Sequence, residues 1–270
     1  MIHLDVHGHA VPALGFGTWQ LKDEAATDSV LDALEIGYRH IDTAQIYKNE
    51  EAVGRGIAQS DVPREEIFLT TKAWRDNLAP DDVRASFARS LGRLKADYVD
   101  LLLIHWPNDD VRLEDTLEAM LGLREEGTVK LIGVSNFPPA LLRRALEVVP
   151  DLACNQVEHH VYLGQQTLRD LAEEHGMMLT AYSPLAQGQV LADETLGKIG
   201  ARYGKSAGQV ALRWLVQQPQ TAAIPKASSH KHRKANFEIF DFTLSNEERA
   251  EIGDLEKNRR LVDPGFAPAW

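Results

Sequence analysis

Residues 67–106 read IFLTTKAWRDNLAPDDVRASFARSLGRLKADYVDLLLIHW. Two apolar runs, IFLTTK and VDLLLIHW, flank a segment in which Val83, Phe87, Leu91 and Leu94 fall on one helical face. Pro80, Asp81 and Asp82 supply the proline and the acids that favour a helix start. The two runs are apolar throughout rather than alternating, which predicts strands buried on both faces, as parallel strands are. Strand, helix, strand is the building unit of a parallel sheet.

The unit recurs along the chain. LGFGTW (14–19), HIDTA (40–44), VKLIGVSN (129–136), LACNQVE (152–158), MMLTAYSPL (177–185) and TAAIPKA (221–227) are further strand-like runs, each followed by a helical stretch. After VDLLLIHW the helical positions are Leu113, Leu117, Met120 and Leu121. Eight such units predict a (β/α)8 TIM barrel, an architecture that commonly takes ~250 residues as one domain. An open doubly wound sheet is the alternative. With no linker and no low-complexity tract, residues 1–270 read as a single domain. IHLDV and HAV around His7-Gly8 predict a short N-terminal hairpin. SAGQVALRWLVQQ (206–218) and SNEERAEIGDLEKN (245–258) predict two extra helices, and RRLVDPGFAPAW (259–270) an irregular C-terminal tail.

Composition removes several classes. Forty acidic against 29 basic residues give a net charge of −11, a field that repels nucleic acid and anionic lipid. The longest apolar run falls far short of the ~20 residues of a membrane helix, and the N-terminus lacks a signal-peptide pattern. One cysteine, Cys154, excludes an internal disulfide and suits a reducing cytoplasm. It lies in a strand-like run and reads as a small buried residue. Nothing calls for an oligomer, so a monomer is expected.

The strand ends carry the chemistry. Asp42, Lys72, His105, Asn136, Gln156, Tyr182 and Lys226 end their runs with a polar side chain. In a parallel barrel these ends converge on one rim, where active sites of this architecture lie. Asp42, Lys72 and His105 are joined by Tyr47, five residues past Asp42. A phenol titrates near ~10 and is a weak acid at neutral pH. A neighbouring ammonium lowers that value, and a carboxylate keeps the ammonium charged and aimed. Tyr47 beside Lys72, with Asp42 behind it, is therefore expected to be a tuned general acid, and His105 to direct a carbonyl oxygen. Each residue alone has a plainer reading: a structural ion pair, a loop anchor, a core histidine. The four together favour chemistry.

HIDTAQIY, TTKAW, DYVDLLLIHWP, GVSNF, NQVE, YSPL and IPKA resemble, in order, the motifs of the aldo-keto reductases, over Gly15 to Asn236. Within that family the chain most resembles the bacterial 2,5-diketo-D-gluconate reductases, its tail being similar to their B-type branch. The resemblance implies carbonyl reduction with NADPH and no metal, and a catalytic tetrad of Asp42, Tyr47, Lys72 and His105. It implies that Ser135, Asn136 and Gln156 hold the nicotinamide carboxamide and that Tyr182 stacks on its ring. Ser183 and Leu185 would follow the pyrophosphate; Thr18, Trp19, Lys226, Ser228 and Asn236 would complete the cofactor contacts. Trp19, Trp74 and Trp106 would line the substrate pocket; without the resemblance they read as packing.

No dinucleotide fingerprint or P-loop occurs; GFGTWQ (15–20) starts like GxGxxG and ends in Gln20. The segment KASSHKHRK (226–234) holds four cations and no acid, and its place after the eighth strand points to phosphate. It departs from the family's pattern, with His232 where many members carry arginine, Ala227 for a common serine and Ala235 for a glutamate. A mostly neutral imidazole grips phosphate less well than a guanidinium fork, so NADPH is expected with NADH also admitted. A metal-dependent barrel hydrolase needs several convergent His and Asp ligands at the rim, and a histidine pair ending the first strand would suggest one, but His7 and His9 lie in the expected hairpin. The expected activity is reduction of small aldehydes, ketoaldehydes such as methylglyoxal, or diketo sugar acids such as 2,5-diketo-D-gluconate. The competing classes are a nicotinamide-binding regulatory subunit and a metal-dependent barrel hydrolase.

Overall fold

All eight strand-like runs form strands, and all pair in parallel. In the computed structural model, which describes residues 1–270, an antiparallel hairpin of β1 (His3–Val6) and β2 (His9–Pro12) comes first. The main sheet follows: β3 (Phe16–Gly17), β4 (His40–Asp42), β5 (Phe68–Ala73), β6 (Val99–Ile104), β7 (Val129–Ser135), β8 (Cys154–Glu158), β9 (Met178–Tyr182) and β10 (Thr221–Ala223). These strands neighbour one another in chain order. Every residue of β5 and β6 is buried, as their unbroken apolar character predicts.

The sheet closes on itself. Ala223 donates its N–H to the Ala13 carbonyl, Gly15 to Ala223 and Gly17 to Pro225, so β10 is stitched to the segment leading into β3. A Cβ on Gly17 would stand 2.7 Å from the Ile224 carbonyl oxygen, so glycine is what allows this approach. The architecture is a (β/α)8 barrel; the open doubly wound alternative is excluded by this seam.

Ten helices accompany the strands: α1 (Asp23–Ile36), α2 (Glu50–Gln59), α3 (Pro80–Leu94), α4 (Leu113–Glu125), α5 (Pro139–Val148), α6 (Gln166–Glu174), α7 (Glu194–Tyr203), α8 (Ala207–Val216), α9 (His230–Phe237) and α10 (Asn246–Gly253). Pro80 opens α3 with Asp81 and Asp82 in its first turn, and reciprocal side-chain caps open α8 at Ser206/Gln209 and α10 at Ser245/Glu248. The helices α8 and α10 are the two additions to the repeat. The basic segment opens α9, the helix of the eighth unit, with Ser229 as its cap. In α4 the buried row is Leu117, Met120 and Leu123, while Leu113 and Leu121 are only half-buried. That face sits slightly further along the helix than its spacing suggests. Leu91 of α3 is likewise half-buried.

One continuous cluster of 70 buried apolar residues fills the barrel and the layer beneath the helices. The hairpin turns at His7 (φ 50°) and Gly8 (φ 82°), the left-handed pair of a tight two-residue turn. It covers the end of the barrel where strands begin: Pro12 O meets His40 Nδ1 at 3.2 Å, and Asp5 O accepts from Gln220 beside β10. The opposite rim is thereby left for the residues that end the strands. Residues 257–270 contain no helix or strand, as expected. No helix is long and apolar enough to cross a membrane.

Burial also makes the fold acid-sensitive. His159, packed on Trp214, is driven by burial down to about 4, and burial also lowers His40. The unfolded chain takes up these protons near ~6.5. Stability is therefore complete above that pH and is lost as pH falls toward 4, because the unfolded state binds more protons. Urea unfolding at pH 7.5 and pH 5 should show His159 alone costing about 2 kcal/mol at the lower pH. His159→Gln should remove that part of the slope.

Candidate active site

A lysine with no exposed surface lies at the end of β5. Lys72 Nζ donates to Asp42 Oδ1 at 2.5 Å, to the Thr43 carbonyl at 2.8 Å and to Tyr47 Oη at 3.5 Å. An ammonium has three protons, and these three oxygens account for all of them. Asp42 ends β4, next to β5, so the ion pair joins neighbouring strands. Its second oxygen accepts from Gln156 Nε2 of β8 at 2.8 Å, across the barrel mouth. Tyr47 follows in a short helical turn, and Lys48 beyond it adopts a left-handed φ of 57° that ends the turn.

Because lysine can only donate, Tyr47 Oη accepts from Nζ, and its own proton is free to point elsewhere. His105, just past the end of β6, stands edge-on to Tyr47 with ring centroids 5.6 Å apart and edge-on to Trp74 at 5.4 Å. Neither of its ring nitrogens has a protein hydrogen bond, and Nδ1 is buried. Burial, with the charge of Lys72 adding to it, holds the imidazole well below its usual value, so it is neutral at pH 7. Burial also pulls Lys72 down, against the attraction of Asp42.

The phenol departs from expectation. Burial, helped by the Asp42 charge, raises Tyr47 well above its ordinary value. The ammonium was expected to lower it. At 3.5 Å from the phenol and 2.5 Å from the carboxylate, however, Lys72 is largely neutralised by Asp42, which also repels a phenolate. In this state Tyr47 is a fully protonated donor rather than a poised one. Cys154, buried at the start of β8 with its thiol pushed up to about 12, is an inert packing residue.

The ends of β7, β8 and β9 form one connected patch. Asn136 donates to the His105 carbonyl and to Ser135 Oγ, Ser135 donates to the Gln156 carbonyl, and Tyr182 Oη donates to Asn136 Oδ1 at 2.7 Å. Gln156 Oε1 has no protein partner. Thr18 lies against β4, its hydroxyl and N–H both donating to the Asp42 carbonyl. Beyond β9, Ser183, Ala186 and Gln187 all hold left-handed φ values near 50°. Such backbone is costly outside glycine and marks the loop carrying Ser183 and Leu185 as a shaped one. The side-chain amide of Asn236 on α9 makes no protein hydrogen bond, although the residue is 8% exposed.

Two predicted groups separate. Trp74 and Trp106 meet across Phe266 of the tail, at centroid distances of 5.8 and 5.5 Å, whereas Trp19 is 47% exposed and has no aromatic partner. In the basic segment Lys226 is exposed, with only Ser228 Oγ nearby at 3.4 Å, and His232 and Lys231 are exposed too. Arg233 points the other way. It is buried, bonded to Asp32 of α1, Ser29 Oγ and the Ala227 carbonyl, and is not available to a ligand.

Some supporting residues carried no separate sequence signal. Asn49 ties Thr43 Oγ1 to the Thr18 and Leu21 carbonyls, and Gln45 Oε1 accepts the N–H of Trp74. Phe266 sits in a segment without periodicity. No group of three or more metal-ligating side chains converges anywhere in the chain.

The ion pair also sets a stability expectation. Asp42→Ala strands a buried ammonium and should cost about 3–5 kcal/mol in urea unfolding. Adding Lys72→Met should recover most of the loss, and failure to recover would mean the pair is not the reason.

The family model described as "Aldo/keto reductase family" matches residues 13–257. Methylglyoxal reductase DkgB of Escherichia coli O157:H7 is 42% identical over 266 residues, spanning 97% of this chain and 99% of that one. Among solved structures, one provisionally named a 2,5-diketo-D-gluconic acid reductase B superposes with a TM-score of 0.96 at 44% identity, covering 100% of this chain and 98% of its own. The Bombyx mori aldo-keto reductase in complex with NADP superposes with a TM-score of 0.89 at 34% identity, covering 96% and 93%. With a family match over most of its length and relatives covered almost end to end, the chain belongs to the aldo/keto reductase family of oxidoreductases.

Proposed function

We propose that this protein is an NADPH-dependent reductase of small carbonyl compounds, in which Tyr47 protonates the carbonyl oxygen. The observation that carries this reading is Lys72 Nζ held between Asp42 and Tyr47 Oη, with an unpartnered neutral His105 beside the phenol. Methylglyoxal and 2,5-diketo-D-gluconate are the substrates named for similar proteins, and small ketoaldehydes and diketo sugar acids are the classes proposed for this chain.

The residues present fit a nicotinamide cofactor. Gln156 Oε1 has no protein partner, and Asn136 Oδ1 and Ser135 Oγ keep acceptor capacity, which suits a carboxamide. Tyr182, held by Asn136, offers a ring face for stacking. Thr18, Trp19, Ser183, Leu185 and Asn236 would border the rest, and Lys226 with Ser228 would meet a 2′-phosphate. When bound, the cofactor supplies hydride to the carbonyl carbon. NADPH is favoured by the free cations at Lys226 and Lys231. With Arg233 turned away and His232 in place of a guanidinium, the grip on phosphate is modest and NADH is admitted.

The protein's own part is proton delivery and placement. Lys72 fixes the Tyr47 oxygen as an acceptor, so the phenolic proton faces the substrate. Asp42 holds Lys72, and Gln156 holds Asp42, so the donor's position is set by three strands. His105, uncharged, can hydrogen-bond the same carbonyl oxygen without competing as an acid. Trp74 and Trp106 would wall the space beside them.

Tyr47→Phe should lower kcat about 10²- to 10⁴-fold, the usual value of a positioned acid, while NADPH affinity stays within about twofold. An unchanged rate would refute the proton-donor assignment. A carbonyl panel assayed in parallel with NADPH and NADH should show turnover of methylglyoxal with both, faster with NADPH. Lys226→Ala should narrow that gap by weakening NADPH alone, about tenfold per 1.4 kcal/mol of lost contact.

A further inference from the structure

The least explained charge in the molecule is Glu158, the last residue of β8. Its carboxylate has no exposed surface and no lysine or arginine in ion-pair contact. Three donors nonetheless enclose it, one of them shared between both oxygens. Leu261 N–H lies 2.8 Å from Oε1 and 3.1 Å from Oε2, Val262 N–H 2.9 Å from Oε2, and His160 Nε2 2.9 Å from Oε1. His160 Nδ1 accepts the Tyr162 N–H, so Nε2 carries the ring proton and donates it to Glu158. One turn earlier in the tail, the Lys257 and Arg259 N–H groups both reach the Tyr162 carbonyl.

The tail has no regular structure to satisfy its backbone, so these acceptors define its path. Four residues past Val262 comes Phe266, set between Trp74 and Trp106 with the Arg75 guanidinium 4.9 Å from its ring centroid. Phe266 is 39% exposed and so buries too little to hold fourteen irregular residues in place by itself. We infer that Glu158 is a positioning residue for the reaction: by clasping Leu261 and Val262 it seats Phe266 as a wall of the carbonyl-binding pocket, and so sets which carbonyl substrates bind. A buried charge is costly unless fully hydrogen-bonded, and a clasp on backbone N–H groups uses it independently of the tail's side chains. This inference rests on the proposed reading of Trp74 and Trp106 as pocket walls.

The test uses the full chain and reads the clasp and the pocket separately. Glu158→Gln should raise amide hydrogen exchange at Leu261 and Val262 by about tenfold or more, since a neutral amide offers one acceptor oxygen where two served. It should raise KM for bulky phenylglyoxal about tenfold and for methylglyoxal less, with kcat and NADPH affinity nearly unchanged. Phe266→Ala should reproduce the KM change, and the double variant should be no worse than either single one. Leu261→Pro, which removes the clasped N–H from the tail side and leaves the barrel intact, should act like Glu158→Gln if the latter does not fold. Unchanged exchange would overturn the clasp. Raised exchange with unchanged KM, or KM effects that multiply in the double variant, would overturn its role in substrate binding. A native chain that reduces neither carbonyl would refute the pocket reading and the KM effect with it, while the exchange result still decides the clasp.

Discussion

An ammonium sealed from water is tolerable only if every proton has an oxygen, and that requirement at Lys72 organises the barrel mouth. The lysine draws in Asp42 from the adjacent strand, the Thr43 carbonyl and the Tyr47 hydroxyl. Asp42 in turn draws Gln156 from the far side, and its backbone carbonyl takes both donors of Thr18. A misplacement at any of these positions would leave a buried charge or donor unpaired, which costs far more than a lost surface contact. Stability and the proposed chemistry would therefore rest on the same atoms.

The architecture supplies the convergence. Parallel pairing in chain order puts every strand's last residue at one end, and the hairpin β1–β2 covers the other. The sequence separation of Asp42, Lys72, His105 and Gln156 thus becomes adjacency without any long-range feature having to specify it. Loops then add what strands cannot: the left-handed turn after Tyr47, the strained segment after Tyr182 and the tail that brings in Phe266.

Much of this was legible in the sequence because it depends on period and order. Uniformly apolar runs gave the strands, helical spacing gave α3, and the polar residue after each run gave the rim. The legible part stops where a property depends on distance. Sequence order places Lys72 near Tyr47 but does not record how deeply the phenol is buried or that the ammonium lies closer to Asp42, and burial first, then the Asp42 charge, raises the tyrosine instead of lowering it. Arg233 looked like one more cation in a basic segment, and only its neighbour across the helix layer, Asp32, shows that it is spoken for. Glu158 meets backbone N–H groups of an irregular tail, and the Phe266 ring is carried by that same tail, so no periodicity records either contact.

The pairing of Arg233 with Asp32 has a mechanical consequence. It ties α9, the last helix of the ring, to α1, the first, beside the seam where β10 meets the chain entering β3. Tyr38, after α1, donates to the Arg233 carbonyl and packs its ring at a tilt against Phe237, reinforcing the same joint. The two ends of the barrel chain are thus buckled in the helix layer as well as in the sheet. Each half of that closure spans nearly the whole ring in sequence, so it closes the longest loop in the barrel. A ligand touching both Thr18 and Lys226 would span this joint from one side to the other.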